Sequence, residues 1–151
     1  MKIYFSGAIA GGRKYARVYR TIVDHLRGLG HEVPSAHVAE AGLSASGEGL
    51  SPEYVYRRDV AWIQESDCLV AEVSTPSLGV GYEICYALGL GKPVLCLHQA
   101  GLSISKMIAG NTSPFLQTAS YADIDTALKA IDDFLAGPRR LRRGDGGPST
   151  V

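Results

Sequence analysis

Short apolar runs alternate with amphipathic stretches along this chain. Five apolar runs have the length of strands, at residues 2–6, 31–34, 67–73, 94–97 and 115–121. Apolar residues recur at roughly helical spacing in the intervening stretches, at residues 15–29, 51–66, 84–91, 103–109 and 123–135. Strands that alternate with helices in this way predict an α/β fold with a doubly wound parallel sheet. We expect five strands in the flavodoxin-like, Rossmann-like order 2-1-3-4-5.

Composition and charge narrow the class of protein. Hydrophobic residues make up 46% of the 151 residues, which predicts a folded domain at 1–136. The tail at 137–151 is rich in Arg, Gly and Pro, and we expect it to be disordered. It holds four arginines and one aspartate, so the domain itself carries a net charge of −3. A domain with no basic excess argues against a nucleic-acid polymer as partner.

The apolar runs and the cysteines indicate the cellular compartment and whether a metal or cofactor is to be expected. No run is long enough to span a bilayer, and the chain enters its first predicted strand at once, so we expect a cytoplasmic protein with no membrane contact. Cys68, Cys85 and Cys96 stand in apolar runs, without the spacing of metal ligands. We interpret them as core residues in a reducing compartment and expect no metal or cofactor.

Two glycine-rich segments follow the first and third predicted strands. The first comprises Gly7, Ala8, Ile9, Ala10, Gly11, Gly12 and Arg13, and the second is SLGVGYE at residues 77–83. Both should face one cleft, because ligands bind at the carboxyl ends of parallel strands near the switch between strands one and three. The first segment matches neither the dinucleotide nor the Walker A spacing, and a tight β-to-α turn is its alternative interpretation. The helix start beside the second segment suits an anion such as phosphate.

Three side chains are candidates for chemistry at this cleft. Glu83, predicted in the first turn of its helix, suggests chemistry on a phosphorylated sugar, although an exposed carboxylate there could merely favour the helix dipole. Asp59 lies on a packed helix and could carry a proton, or form a surface ion pair with a neighbouring arginine. Tyr4, near the end of the first strand, is by default a core tyrosine. Ser77, Ser103 and Ser105 are by default loop or capping serines.

Three segments together resemble a known family. They are YFSGAIAGGR at residues 4–13, RDVAW at 58–62 and AEVSTPSLGVGYE at 71–83. Over roughly residues 2–136 the chain resembles the 2′-deoxynucleoside 5′-phosphate N-hydrolase family, a branch of the nucleoside 2-deoxyribosyltransferase superfamily. The resemblance implies hydrolysis of the N-glycosidic bond of a 2′-deoxynucleoside 5′-monophosphate to free base and 2-deoxyribose 5-phosphate.

The resemblance also implies residue roles. Glu83 matches the nucleophile that forms a covalent glycosyl intermediate, Asp59 the second catalytic acid, and Tyr4 a tyrosine beside the sugar. The positions that match contacts to the phosphate and sugar are residues 7–13, Ser77 and Gly79. Ala10 stands where family members carry an arginine near the phosphate, and Arg13 could supply that charge.

Further contacts are expected from residues outside the matched segments. Ser105 matches a serine that reaches the phosphate in the neighbouring subunit's site, which implies a homodimer, and Ser103 stands close by. Tyr19 and His37 are candidates for contacts to the base, although a lone histidine is weak evidence.

Other functions fit parts of the same pattern. A nucleoside 2-deoxyribosyltransferase would pass the sugar to a second base, and a CMP-type N-glycosidase would act on ribonucleotides. A non-enzymatic nucleotide-sensing module would bind without turnover, but it would need no acidic pair of Asp59 and Glu83.

Overall fold

The chain forms a parallel sheet with helices packed on both faces. The computed structural model describes residues 1–9, 14–40 and 49–137. The strands, adjacent in chain order and all parallel, are β1 (Ile3–Gly7), β2 (Cys68–Glu72), β3 (Val94–Gln99) and β4 (Leu116–Tyr121). The helices are α1 (Ala16–Gly28), α2 (Pro52–Glu65), α3 (Leu78–Gly89), α4 (Lys106–Ala109) and α5 (Ile124–Ala136), with a 3₁₀ helix at Ala36–Ala39. This confirms the α/β, Rossmann-like class.

The sheet separates two apolar clusters. One cluster packs β1 and β2 against α1, α5 and the 3₁₀ helix, and the other packs them against α2 and α3. Side chains alternate between the two faces of a strand. Ile3 and Phe5 of β1 therefore enter the first cluster, whereas Tyr4 enters the second. Ser6 shares the face of Tyr4 and is turned towards α3.

The prediction of five strands in the order 2-1-3-4-5 is corrected to four strands in the described residues, which lack its second strand and keep the relative order of the other four. The described strands have the order β1-β2-β3-β4. Residues 31–34 lie beside β1 but contribute only an isolated parallel bridge between Lys2 and Glu32. Pro34 has no N–H to extend the pairing. The Ser35 hydroxyl pairs with β1 in place of a backbone group. It accepts a hydrogen bond from the Phe5 N–H at 2.8 Å and donates one to the Phe5 carbonyl at 2.7 Å.

The third helix begins earlier than its sequence pattern predicted. Helix α3 starts at Leu78, and the Ser77 hydroxyl caps it by accepting from the Val80 N–H at 3.4 Å. Two glycines near the start made these residues look like a loop, but a capped helix tolerates them. Glu83 therefore lies in the second turn of α3, and the prediction of a first-turn position was wrong.

The remaining predictions have mixed outcomes. Cys68 and Cys96 are buried as expected, whereas Cys85 on α3 is exposed. Within residues 1–9, 14–40 and 49–137, no helix is long and apolar enough to cross a bilayer. Residues 41–48 and the predicted tail beyond residue 137 lie outside the described residues.

Ser35→Ala should destabilise the fold, since it leaves the buried N–H and carbonyl of Phe5 without this partner. We expect the free energy of unfolding in urea to fall by about 1–3 kcal/mol. Ser103→Ala is the matched control, because Ser103 is exposed. Equal stability of the two variants would contradict a structural role for the Ser35 hydroxyl.

Candidate active site

The carboxyl group of Glu83 is held at both of its oxygens. Helix α3 directs it towards β1, where the Tyr4 hydroxyl donates to Oε1 at 3.0 Å. The Ser6 hydroxyl donates to Oε2. Tyr4 and Ser6 are each only 1% exposed, so both donors are fixed by the packing around them. The predicted pair of Tyr4 and Glu83 is thus brought into contact.

Burial dominates the protonation of this carboxyl group. It raises the pKa of Glu83 to about 7, against the opposing effect of the hydrogen bonds from Ser6 and Tyr4. The nearby charge of Asp59 raises the same pKa further. Burial and the neighbouring Glu83 raise the pKa of the Tyr4 hydroxyl, which therefore stays a proton donor. Glu83 can accordingly gain or lose a proton near neutral pH.

Asp59 lies on α2 in an ion pair. The Arg58 Nε donates to Asp59 Oδ1 at 2.9 Å, and the two side chains are only 12% and 19% exposed. The Arg58 guanidinium also lies 4.7 Å from the centre of the Trp62 ring, and a terminal nitrogen lies 3.4 Å from His37 Nε2. The ion pair with a neighbouring arginine is therefore present, but it is largely buried and belongs to the surroundings of Glu83. His37, a predicted site residue, joins this cluster.

The first glycine-rich segment is packed tightly where it leaves the sheet. A Cβ on Gly7 would meet the Tyr19 ring at 3.0 Å, a tighter contact than most Cβ atoms make, so the ring would have to shift slightly. Tyr19 and Ala8 are fully buried, and Ile9 is partly buried. Tyr19 lies in the apolar cluster on the face of the sheet opposite to Glu83, so the structure does not bring it to the carboxyl group. Ala10, Gly11, Gly12 and Arg13 lie outside the described residues.

A groove of about 980 Å³ runs between α3 and α4. Three of the predicted serines line it, namely Ser77, Ser103 and Ser105. Most of the other lining residues are apolar, and Leu78 and Met107 are 96% and 84% exposed. The groove adjoins α3 but is not lined by Glu83, Asp59 or Tyr4. A Cβ on Gly79 would meet only the Ser77 hydroxyl, at 3.8 Å, so the backbone there is open to a ligand.

Sequence reasoning missed two residues around the Glu83 carboxyl group. Ser6 was not singled out, although its position two residues after Tyr4 puts both side chains on one face of a strand. Arg58 was considered only as a possible surface partner of Asp59.

A second buried carboxyl group, Glu72, was also missed. It ends β2 on the opposite face of the sheet and is fully buried. Its Oε1 accepts from the hydroxyls of Ser74 and Tyr121, the latter at 2.9 Å, and burial raises its pKa. Its other oxygen has no hydrogen-bond partner among the described residues. A glutamate that directly follows four apolar residues was the available signal.

Comparison with known proteins gives a consistent set of relatives. Residues 3–119 match the family model described as nucleoside 2-deoxyribosyltransferase. A protein of Methanococcoides burtonii named "Putative 2'-deoxynucleoside 5'-phosphate N-hydrolase 1" is 43% identical over 85% of this chain and 98% of its own length. The mouse 5-hydroxymethyl-dUMP N-hydrolase is 46% identical over 72% of this chain and 64% of its own length. The structure of a CMP N-glycosidase from Clostridium botulinum superposes with a TM-score of 0.66, at 19% identity, over 87% of this chain and 99% of that one, a likeness of fold.

Glu83 should make stability depend on pH. A partly buried carboxyl group whose pKa is raised stabilises the fold most below the ordinary glutamate pKa, and this contribution is lost as the pH rises through about 7. The stability of the wild type relative to Glu83→Gln should therefore fall by up to about 3 kcal/mol between pH 4 and pH 8. Urea denaturation at a series of pH values measures it. A difference that does not change with pH would contradict the raised pKa.

Proposed function

Because the chain belongs to the nucleoside 2-deoxyribosyltransferase family, we propose that it hydrolyses the N-glycosidic bond of 2′-deoxynucleoside 5′-monophosphates. The products are a free base and 2-deoxyribose 5-phosphate. The observation that carries the proposal is the partly buried Glu83 carboxyl group, held by Tyr4 and Ser6 and close to Asp59. The names of the Methanococcoides and mouse relatives support the same reaction.

In the first step, an ionised oxygen of Glu83 attacks C1′ of the sugar. The bond from C1′ to the base breaks, and its electron pair leaves with the base, which takes a proton from solvent by way of the Asp59 carboxylate. A carboxylate close to C1′ stabilises the positive charge that develops there and then captures the carbon. The result is a covalent 5-phospho-deoxyribosyl ester on Glu83.

In the second step, water attacks C1′ and releases Glu83 as a carboxylate. The proton that the attacking water loses returns to solvent by way of the Asp59 carboxylate, so Glu83 and Asp59 both regain their starting, ionised states. Two displacements at one carbon retain its configuration. The Arg58 guanidinium, bonded to Asp59 at 2.9 Å, orients this carboxylate throughout.

The open ends of the strands supply contacts for the rest of the substrate. Residues 7–13, Ser77 and Gly79 hold the 5′-phosphate and sugar through backbone N–H groups and hydroxyls. The phosphate contacts help to align C1′ on Glu83. His37 contacts the base, and its position beside Trp62, with the ring centres 5.7 Å apart, supports this role.

The site is completed by a second subunit. In this homodimer, Ser105 reaches the phosphate in the neighbouring subunit's site. Support comes from the groove between α3 and α4, which Ser105 lines together with the highly exposed Leu78 and Met107. Exposed apolar side chains beside a groove are typical of an interaction surface.

Glu83→Ala should abolish the release of base. We expect kcat/KM for deoxynucleoside monophosphates to fall on the order of a thousandfold or more, because the variant has no nucleophile for C1′. Chromatography of free base measures it, with deoxynucleoside monophosphates, ribonucleoside monophosphates and unphosphorylated deoxynucleosides as substrates. Glu65→Gln is the matched control, since Glu65 is an exposed glutamate paired with Lys2.

The same panel separates the alternatives. Release of base from ribonucleotides alone would instead favour a ribonucleotide glycosidase. Transfer of the sugar to an added base would favour a transferase. Tight binding of nucleotide with no release of base would overturn the enzymatic proposal and leave a sensing module.

Mixing two inactive variants tests the role of Ser105 in a homodimer. Ser105→Ala keeps its own Glu83, and Glu83→Ala keeps its own Ser105, so a mixed dimer has one site with both residues intact. Activity should therefore rise after the two variants are dissociated and reassociated together. No recovery, although a mixed dimer is detected by native mass spectrometry, would restrict Ser105 to its own subunit.

A further inference from the structure

We propose that Ser6 is a positioning residue for the nucleophilic carboxylate: its hydroxyl holds Glu83 Oε2 and, with Tyr4 on Oε1, fixes the plane of the carboxyl group that attacks C1′. The inference rests on the proposed function, because it assigns the nucleophile to Glu83. No role for this serine follows from the resemblance or from the names of the relatives.

The placement of Ser6 leaves its hydroxyl little choice of partner. Ser6 lies two residues after Tyr4 on β1, so both side chains leave the strand on the face covered by α2 and α3. Ser6 is 1% exposed, so bulk water does not compete for its hydrogen bond. Its hydroxyl donates to Glu83 on α3, which ties the strand to the helix at the reacting group.

Two donors on two oxygens restrict rotation of the carboxyl group. The torsion that turns a glutamate carboxyl group is broad when the group is free. With Tyr4 on Oε1 and Ser6 on Oε2, the plane of the Glu83 carboxyl group is set before substrate arrives. A carboxylate that is already oriented loses less rotational freedom when it reaches C1′ in the transition state. This orientation therefore raises kcat more than it lowers KM.

The same hydrogen bond favours the ionised, attacking form. A hydroxyl donor stabilises a carboxylate more than a carboxylic acid. Of the interactions that lower the pKa of Glu83, the hydrogen bond from Ser6 lowers it most. Burial acts in the opposite direction and raises this pKa to about 7. Without this donor, a larger share of Glu83 would be protonated and inactive at neutral pH.

Ser6→Ala tests the proposal through the pH profile of hydrolysis. The acid limb of kcat/KM should lie near pH 7 in the wild type, in line with the pKa of about 7 for Glu83. In the variant it should move up by about one pH unit. At the pH optimum, we expect kcat to fall by about 10- to 100-fold, with less than about a threefold change in KM.

Ser66→Ala is the matched control for losing a buried serine hydroxyl. Ser66 is 2% exposed, and its hydroxyl donates to the Trp62 carbonyl at 2.7 Å, away from Glu83. It should lower stability without moving the acid limb. Ser6→Cys keeps the size of the side chain with a weaker donor and should give an intermediate shift. It also carries the test if Ser6→Ala does not fold.

Carbon-13 NMR of the Glu83 carboxyl group, assigned with Glu83→Gln, reports its titration without any turnover. An upward shift of this titration in Ser6→Ala supports the inference, even if no nucleotide is hydrolysed and the proposed function fails. An unchanged titration together with an unchanged acid limb in an active variant overturns the inference and leaves the proposed function standing.

Discussion

The partial burial of one carboxyl group, that of Glu83, is the constraint on which the site depends. A carboxylate removed from water is costly unless donors surround it. Here the donors are the hydroxyls of Tyr4 and Ser6, and both come from a strand at the edge of the described sheet. Strand β1 and helix α3 must keep the spacing that these two hydrogen bonds require. The packing of α3 on β1 and β2 therefore determines the chemistry of the site as well as the fold.

The carboxyl ends of the strands are crowded with polar groups on both faces. On the face opposite to Glu83, Glu72 accepts from Tyr121 and Ser74, and the Ser74 hydroxyl accepts from the Gln99 N–H at 2.8 Å. These bonds join β2, β3 and β4 at the edge where the proposed substrate lies. The glycine at the end of β1 packs closely against Tyr19, and a Cβ there would require the ring to shift.

The class of fold and the acidic residues Asp59 and Glu83 could be predicted from the sequence, because both predictions depend on local patterns. Apolar runs and helical spacing located every strand of the described sheet within one or two residues. The start of α3 was placed too late because Gly79 and Gly81 are weak helix formers, and only the cap by Ser77 shows why the helix holds. The strand expected at 31–34 is limited to a single bridge, because Pro34 has no N–H to continue the pairing with β1.

Ser6 was harder to predict for a different reason. A serine in a strand has no distinctive local pattern, and its importance depends on a helix residue far along the chain. The alternation of β1 put it on the face of Tyr4, but only the register of α3 against β1 brings it to Glu83. Tyr19 illustrates the converse case, since a polar aromatic on α1, beside the first glycine-rich segment, is buried in the core.

The way in which Ser35 pairs with β1 also bears on solubility. The exposed edge of a sheet offers free N–H and carbonyl groups that can recruit a strand from another molecule. On β1, the Ile3 N–H donates to Glu32 at 2.8 Å and the Phe5 N–H donates to the Ser35 hydroxyl. The Ser35 hydroxyl pairs with the backbone groups of Phe5 without adding a strand to the sheet. These groups are then not available to a strand of another molecule, which protects this edge of the sheet against aggregation.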